Sequence, residues 1–93
     1  MKKYYVYIMA SKRNGTLYVG QTENLPNRIN RHRKGIGADF TDEYKVKMLV
    51  YYEEYWDKKQ SFVREKQLKK WNRQWKMRLI EEVNPEWEDL AEG

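Results

Sequence analysis

The 93-residue chain predicts an α+β fold: a three-stranded antiparallel or mixed sheet flanked by helices, in the order β-β-α-β-α-α. Three observations predict it. Two runs rich in aromatic and β-branched residues, 3–10 and 16–22, flank Asn14-Gly15, and Asn-Gly between such runs is a strong hairpin signal. A third run of the same kind spans residues 46–56. The stretches between and after these runs open on helix caps and carry apolar residues at helical spacing.

Local chemistry justifies each element in turn. Residues 3–10 read Lys-Tyr-Tyr-Val-Tyr-Ile-Met-Ala, and such side chains suit a pleated surface. Both alternating faces are apolar, which predicts a central strand or one covered on two sides. Residues 16–22 return as its antiparallel partner, with Tyr7 and Tyr18 near enough to the turn to face each other. Asn24 is a good N-cap, and Pro26 sits in the first turn, where its missing N–H removes no bond. A helix is expected over 25–34, with Gly35 as its stop and a loop over 35–42. Leu25, Ile29 and His32 share one inward stripe, and Arg28 lies beside it, one turn before His32. Asp57-Lys58-Lys59-Gln60 has capping-box spacing. It starts a long helix that Asn72 splits into segments over about 58–71 and 73–83. Ser61, Leu68, Trp71 and Trp75 cluster on one side, and the two tryptophans are expected in the core. Asn84-Pro85 ends the last helix. Residues 85–93 read as an acidic tail, with Trp87 and Leu90 docking back onto the body.

Size and composition bound the function. The length makes one small domain over residues 1–93, without room for a second core. Fourteen aromatics, each burying a large area, can supply a core with few aliphatics. The absence of cysteine excludes disulfides and thiolate zinc sites. No apolar run long enough for a membrane span is present, and no secretion signal, so a cytoplasmic protein is expected, monomeric by default. Residues 1–36 hold eight basic residues against one acid, net +7, whereas the remainder is net −2. A basic half beside a near-neutral one suits a polyanionic partner.

Cutting a phosphodiester needs an activated water, neutralisation of charge on the phosphate, and help for the leaving oxygen. Tyr7, Tyr18, Arg28, His32 and Glu65 supply those chemistries. An arginine fork suits phosphate oxygens, a carboxylate holds Mg²⁺, and tyrosine or histidine can position or deprotonate water. Gly20 leaves room beside Tyr18. Glu65 lies about 60° round its helix from Leu68 and so borders the buried stripe. Glu53 and Glu54 are competing metal candidates. Taken singly, each residue also has an ordinary use: sheet packing for the tyrosines, a solvated helix face for Arg28 and His32, a surface ion pair for Glu65.

The ordered set Tyr5-Val6-Tyr7, Tyr18-Val19-Gly20, Thr22-Glu23-Asn24-Leu25, Arg28-x-x-x-His32 and Arg64-Glu65-Lys66-Gln67-Leu68 resembles the GIY-YIG nuclease superfamily. Tyr5-Val6 departs from the usual Gly-Ile, while the defining Tyr7 is kept. Length and the Asn84-Pro85-Glu86-Trp87 ending resemble its small stand-alone bacterial branch. The resemblance implies that Tyr7 positions or activates the attacking water, Arg28 binds the scissile phosphate, and Glu65 holds one Mg²⁺ or Mn²⁺. Tyr18 and His32 complete the network, and Gly20 shapes the site floor. Lys69, Asn72 and Asn84 are possible counterparts of a further Asn or Lys used by some relatives. The expected function is a metal-dependent DNA endonuclease in repair, recombination or processing. Lys12, Arg13, Arg31, Arg33 and Lys34 would hold flanking phosphates, with binding directed by structure or backbone. The alternative is a catalytically weak nucleic-acid-binding module on the same fold.

Overall fold

One strand organises the molecule. β1 (Tyr4–Ala10) is the middle strand of a three-stranded sheet of order β2-β1-β3, paired antiparallel on both sides. The computed structural model describes residues 2–34 and 46–91. β2 spans Leu17–Thr22, α1 Leu25–Lys34, β3 Met48–Tyr55, α2 Lys58–Lys70 and α3 Arg73–Val83. The order is the β-β-α-β-α-α expected, in an all-antiparallel sheet. The expected loop over 35–42 lies outside the described residues.

The two apolar faces of β1 meet different partners. Val6, Ile8 and Ala10 pack with Val19, Val50, Leu68, Ile80 and Trp87 on the side of α2 and α3. Tyr7 and Met9 pack with Leu25, Ile29, Val46 and Leu49 on the side of α1. A bulge in the β1–β3 ladder pairs Ile8 with Tyr51 and Met9 with Leu49, leaving Val50 as the extra residue.

The helix starts follow their caps. Asn24 Oδ1 accepts from Asn27 N at 3.1 Å, Asp57 Oδ1 from Lys59 N at 2.9 Å, and Asn72 Oδ1 from Trp75 N at 2.9 Å. The α2–α3 break turns the last helix. Ile80 is its fully buried residue, while Trp75, expected in the core, is 51% exposed. Trp87 does dock, 2% exposed, with its indole N–H on Glu81. Leu90 is exposed, and its backbone N–H donates to Leu49 O at 2.8 Å. Asn84 locks this turn, donating to the carbonyls of Val50 and Glu88 and accepting from Glu88 N. Among the described residues, no helix is long and apolar enough to cross a membrane.

Candidate active site

Tyr7 sits mid-strand on the α1 face and pairs with Gly20, while Tyr18 pairs with Met9. The tyrosines are therefore diagonal neighbours, with ring centroids 6.3 Å apart, and do not stand directly opposite. The turn sets this register. Residues 11–16 join the strands, closed by Ser11 N on Thr16 O and Gly15 N on Lys12 O, with Asn14 at φ 60°. A longer loop replaces the two-residue turn that Asn-Gly suggests.

The register also explains Gly20. A Cβ there would lie 2.5 Å from the Tyr7 hydroxyl oxygen and 2.6 Å from its Cζ. The space expected beside Tyr18 is filled by the Tyr7 phenol itself. A side chain at 20 would collide with that ring.

α1 places His32 against both rings. Its centroid is 5.6 Å from that of Tyr7 and 5.1 Å from that of Tyr18, and Nε2 lies 2.8 Å from the Tyr7 hydroxyl. Tyr7 is fully buried and His32 only 2% exposed. Arg28, one turn earlier, keeps partial exposure, as do Tyr18 and Glu65.

Burial, then the nearby Arg28 charge, lower the His32 pKa to about 4. The ring is neutral at neutral pH. Burial first, then Tyr18, raise the Tyr7 pKa, with Arg28 opposing and Glu65 adding to the rise. Tyr7 thus keeps its proton. Arg28 can only donate, and its positive charge lies close enough to Tyr7 to oppose that rise. The Tyr7 hydroxyl and His32 Nε2 share one hydrogen bond, with the Arg28 charge acting on both rings.

Glu65 stands on α2, and its charge acts on Tyr7. Its side chain is 16% exposed and pairs with Lys69 Nζ at 3.2 Å. The anchor for this turn of α2 is Ser61, a fully buried residue one turn earlier. Its hydroxyl accepts from Gln21 Nε2 at 3.0 Å and donates to Lys58 O at 2.6 Å. Gln21 follows Gly20 on β2, so one hydrogen bond ties the Glu65 helix to the strand over which Tyr7 lies. Sequence reading placed Ser61 on the buried stripe without a role. A polar residue at a buried helical position was the available signal.

The other candidates part company. Glu53 accepts from Tyr51, Tyr55 (2.6 Å) and Arg64 (3.0 Å). Burial alone would raise its pKa, yet those donors hold it below the usual range. A cleft of about 500 Å³ beside it has Glu53 and Arg64, already paired with each other, in its wall. Glu54 pairs with Lys3 at 3.0 Å. Asn72 is a cap and Asn84 a buried lock, so of the three further counterparts only Lys69 touches the site. Lys12, Arg13, Arg31 and Lys34 are exposed. Arg33 differs: it bonds Asp89 Oδ2 at 2.5 Å and the Lys47 carbonyl at 3.2 Å, and so belongs to the fold.

Among the described residues, no group of three or more His, Asp or Glu could hold a metal ion. His32 Nε2 is engaged by Tyr7. A lone carboxylate does not suit zinc, which takes a closed set of protein ligands. It does suit Mg²⁺ or Mn²⁺, ions that keep waters and take oxygens from substrate phosphates.

Residues 3–78 match the family model of the GIY-YIG catalytic domain. The chain belongs to the GIY-YIG family. It is 42% identical over 82 residues to the UPF0213 protein SH2523 of Staphylococcus haemolyticus, covering 88% of this chain and 99% of that protein. The UPF0213 protein SSP2268 of Staphylococcus saprophyticus is 38% identical over the same shares. The solution NMR structure of the UPF0213 protein BH0048 from Bacillus halodurans aligns over 94% of this chain and 92% of its own. Its TM-score is 0.58 and its identity 28%. GIY-YIG domains form a nuclease superfamily whose members generally use a divalent metal and act on nucleic acid. The matched span runs from before Tyr7 to beyond Glu65, and so takes in all five residues of the cluster.

Proposed function

We propose that this GIY-YIG chain is a divalent-metal-dependent endonuclease that hydrolyses DNA, directed by backbone or shape. The carrying observation is the buried Tyr7–His32 hydrogen bond, on which the charges of Arg28 and Glu65 both act. Arg28, partly exposed, would hold non-bridging oxygens of the scissile phosphate with its fork of N–H groups. Glu65 would hold the metal. A bound Mg²⁺ or Mn²⁺ would supply Lewis-acid neutralisation of phosphate charge.

The remaining roles belong to the three rings. Tyr18 reaches the surface and would orient the attacking water. That water must lose a proton as it bonds to phosphorus. His32, held neutral by burial and Arg28, is the acceptor the cluster offers. Tyr7 would pass its own proton to Nε2 as its oxygen takes up another. Exposed Lys12, Arg13, Arg31 and Lys34 would neutralise flanking phosphates, which makes binding salt-dependent.

Nicking of supercoiled plasmid with Mg²⁺ or Mn²⁺ tests the reading, with linear DNA and RNA substrates alongside. Wild type should nick. Arg28→Ala should fall roughly 10²–10³-fold, the scale of losing one preorganised charge, and Glu65→Ala and Tyr7→Phe should also lose activity while remaining folded. A wild type that shifts the plasmid on a gel yet leaves it intact would instead support a binding module.

A further inference from the structure

A cavity of about 240 Å³ lies beside the β1–β2 turn, lined by Thr16, Leu17, Arg73 and Lys76. Arg73 is held in place by the carbonyls of Asn14, at 2.6 Å, and Gly15. Lys76 follows three residues later on α3, so both side chains share a helix side. Burial first, then the Arg73 charge, lower the Lys76 pKa. Two cations are thus crowded into one recess.

Among the described residues, six cations meet carboxylates: Lys2 and Lys58 on Glu23, Lys3 on Glu54, Arg33 on Asp89, Arg64 on Glu53, Lys69 on Glu65. Arg73 and Lys76 have no acidic partner among the described residues. Like charges held together in a half-buried notch destabilise the fold unless an anion joins them.

We propose that this notch binds a backbone phosphodiester of the nucleic acid, away from the scissile bond. The inference rests on the nuclease reading for its ligand class and adds the path that the strand takes. α2 is pinned to Gln21 at one end of β2 through Ser61, whereas Leu17 begins the other end of β2 and lines the notch. Glu65, Lys69 and the notch therefore follow one another along the same sheet edge. The notch thus takes a phosphate other than the one at Glu65, further along the strand. The Thr16 hydroxyl adds a neutral donor of the kind that positions phosphates.

Fluorescence anisotropy on a labelled DNA duplex in EDTA, across a salt series, tests the notch without cleavage. Lys76→Gln should weaken binding several-fold and reduce the log–log salt slope by about one. Its melting temperature should hold or rise, because a crowded charge is removed, and Lys76→Arg should restore the slope. Lys66→Gln, on the exposed side of α2, should change little. A Lys76→Gln protein indistinguishable from Lys66→Gln overturns the notch, as does a wild type with no affinity for the duplex. If the wild type binds and Lys76→Gln behaves as expected while no nicking occurs with Mg²⁺, the notch stands and the nuclease reading fails.

Discussion

Substituting Gly20 by alanine probes the geometry of the site through a single methyl group. The added Cβ would lie 2.5, 2.6 and 2.9 Å from the Tyr7 hydroxyl oxygen, Cζ and Cε1. Those atoms belong to a ring with no exposed surface, bonded to His32 at 2.8 Å. The ring cannot swing away cheaply. Overpacking of this kind costs about 1–3 kcal/mol, and loss of the Tyr7–His32 bond adds about 1 kcal/mol. At roughly 4–8 °C per kcal/mol for a domain of this size, Gly20→Ala should melt roughly 10–30 °C below wild type. Calorimetry reads the stability, and the NMR signals of His32, the only histidine, read the displaced ring directly. The double variant Gly20→Ala/Tyr7→Phe should recover only part of the loss. It removes the hydroxyl and leaves the contacts at 2.6 and 2.9 Å. A Gly20→Ala protein that melts within a few degrees of wild type with unchanged His32 shifts would refute the close approach of Tyr7 to β2.

Two further expectations concern protons and carboxylates. The free imidazole titrates near 6.5 and His32 in the fold at about 4. Between those values the unfolded chain binds the extra proton, so stability is fully present above 6.5 and falls as pH drops toward 4. From pH 7 to pH 5 the His32 contribution amounts to about 2 kcal/mol. It is measured as the difference between wild type and His32→Gln in urea titrations at the two pH values, and a difference independent of pH sinks it. Glu53→Gln should destabilise by about 2 kcal/mol, since hydrogen bonds to charged groups are lost. It should leave metal-dependent nicking intact below its melting temperature. Loss of nicking in folded Glu53→Gln would move the metal away from Glu65.

Much of this architecture was legible because local signals agreed. Asn24, Asp57 and Asn72 each start a helix where cap chemistry places them. The two-sided apolar pattern of residues 4–10 belongs to a central strand covered on both faces. Leu25, Ile29 and His32 are the three buried residues of α1, as their spacing predicted. What was not legible depends on three-dimensional registration. The length of the β1–β2 turn decides that Gly20, and not Tyr18, faces Tyr7, and Asn-Gly alone does not encode that length. Trp75 has the helical phase of Trp71 only if α2 continues, but the cap at Asn72 breaks it. Arg33 looks in sequence like its basic neighbours, and only the return of the chain at Asp89 distinguishes it. Ser61 carried no motif at all; its meaning lies in Gln21, forty residues earlier.

That return of the chain has a consequence for where the molecule can be cut. The span shared with the GIY-YIG catalytic domain stops at residue 78, before Ile80 and Trp87, which are 0% and 2% exposed in the core. Beyond them, Asp89 holds both Leu49 N and the Arg33 guanidinium, and Arg33 adjoins His32 on α1. The end of the matched family span is therefore not a boundary of cooperative folding. A fragment trimmed to the shared span would keep every residue of the proposed chemistry, yet bare one face of the sheet and untie the end of the helix that carries Arg28 and His32. A chain still growing at residue 78 is in the same position. The last anchor of its site arrives only when Asp89 has been made.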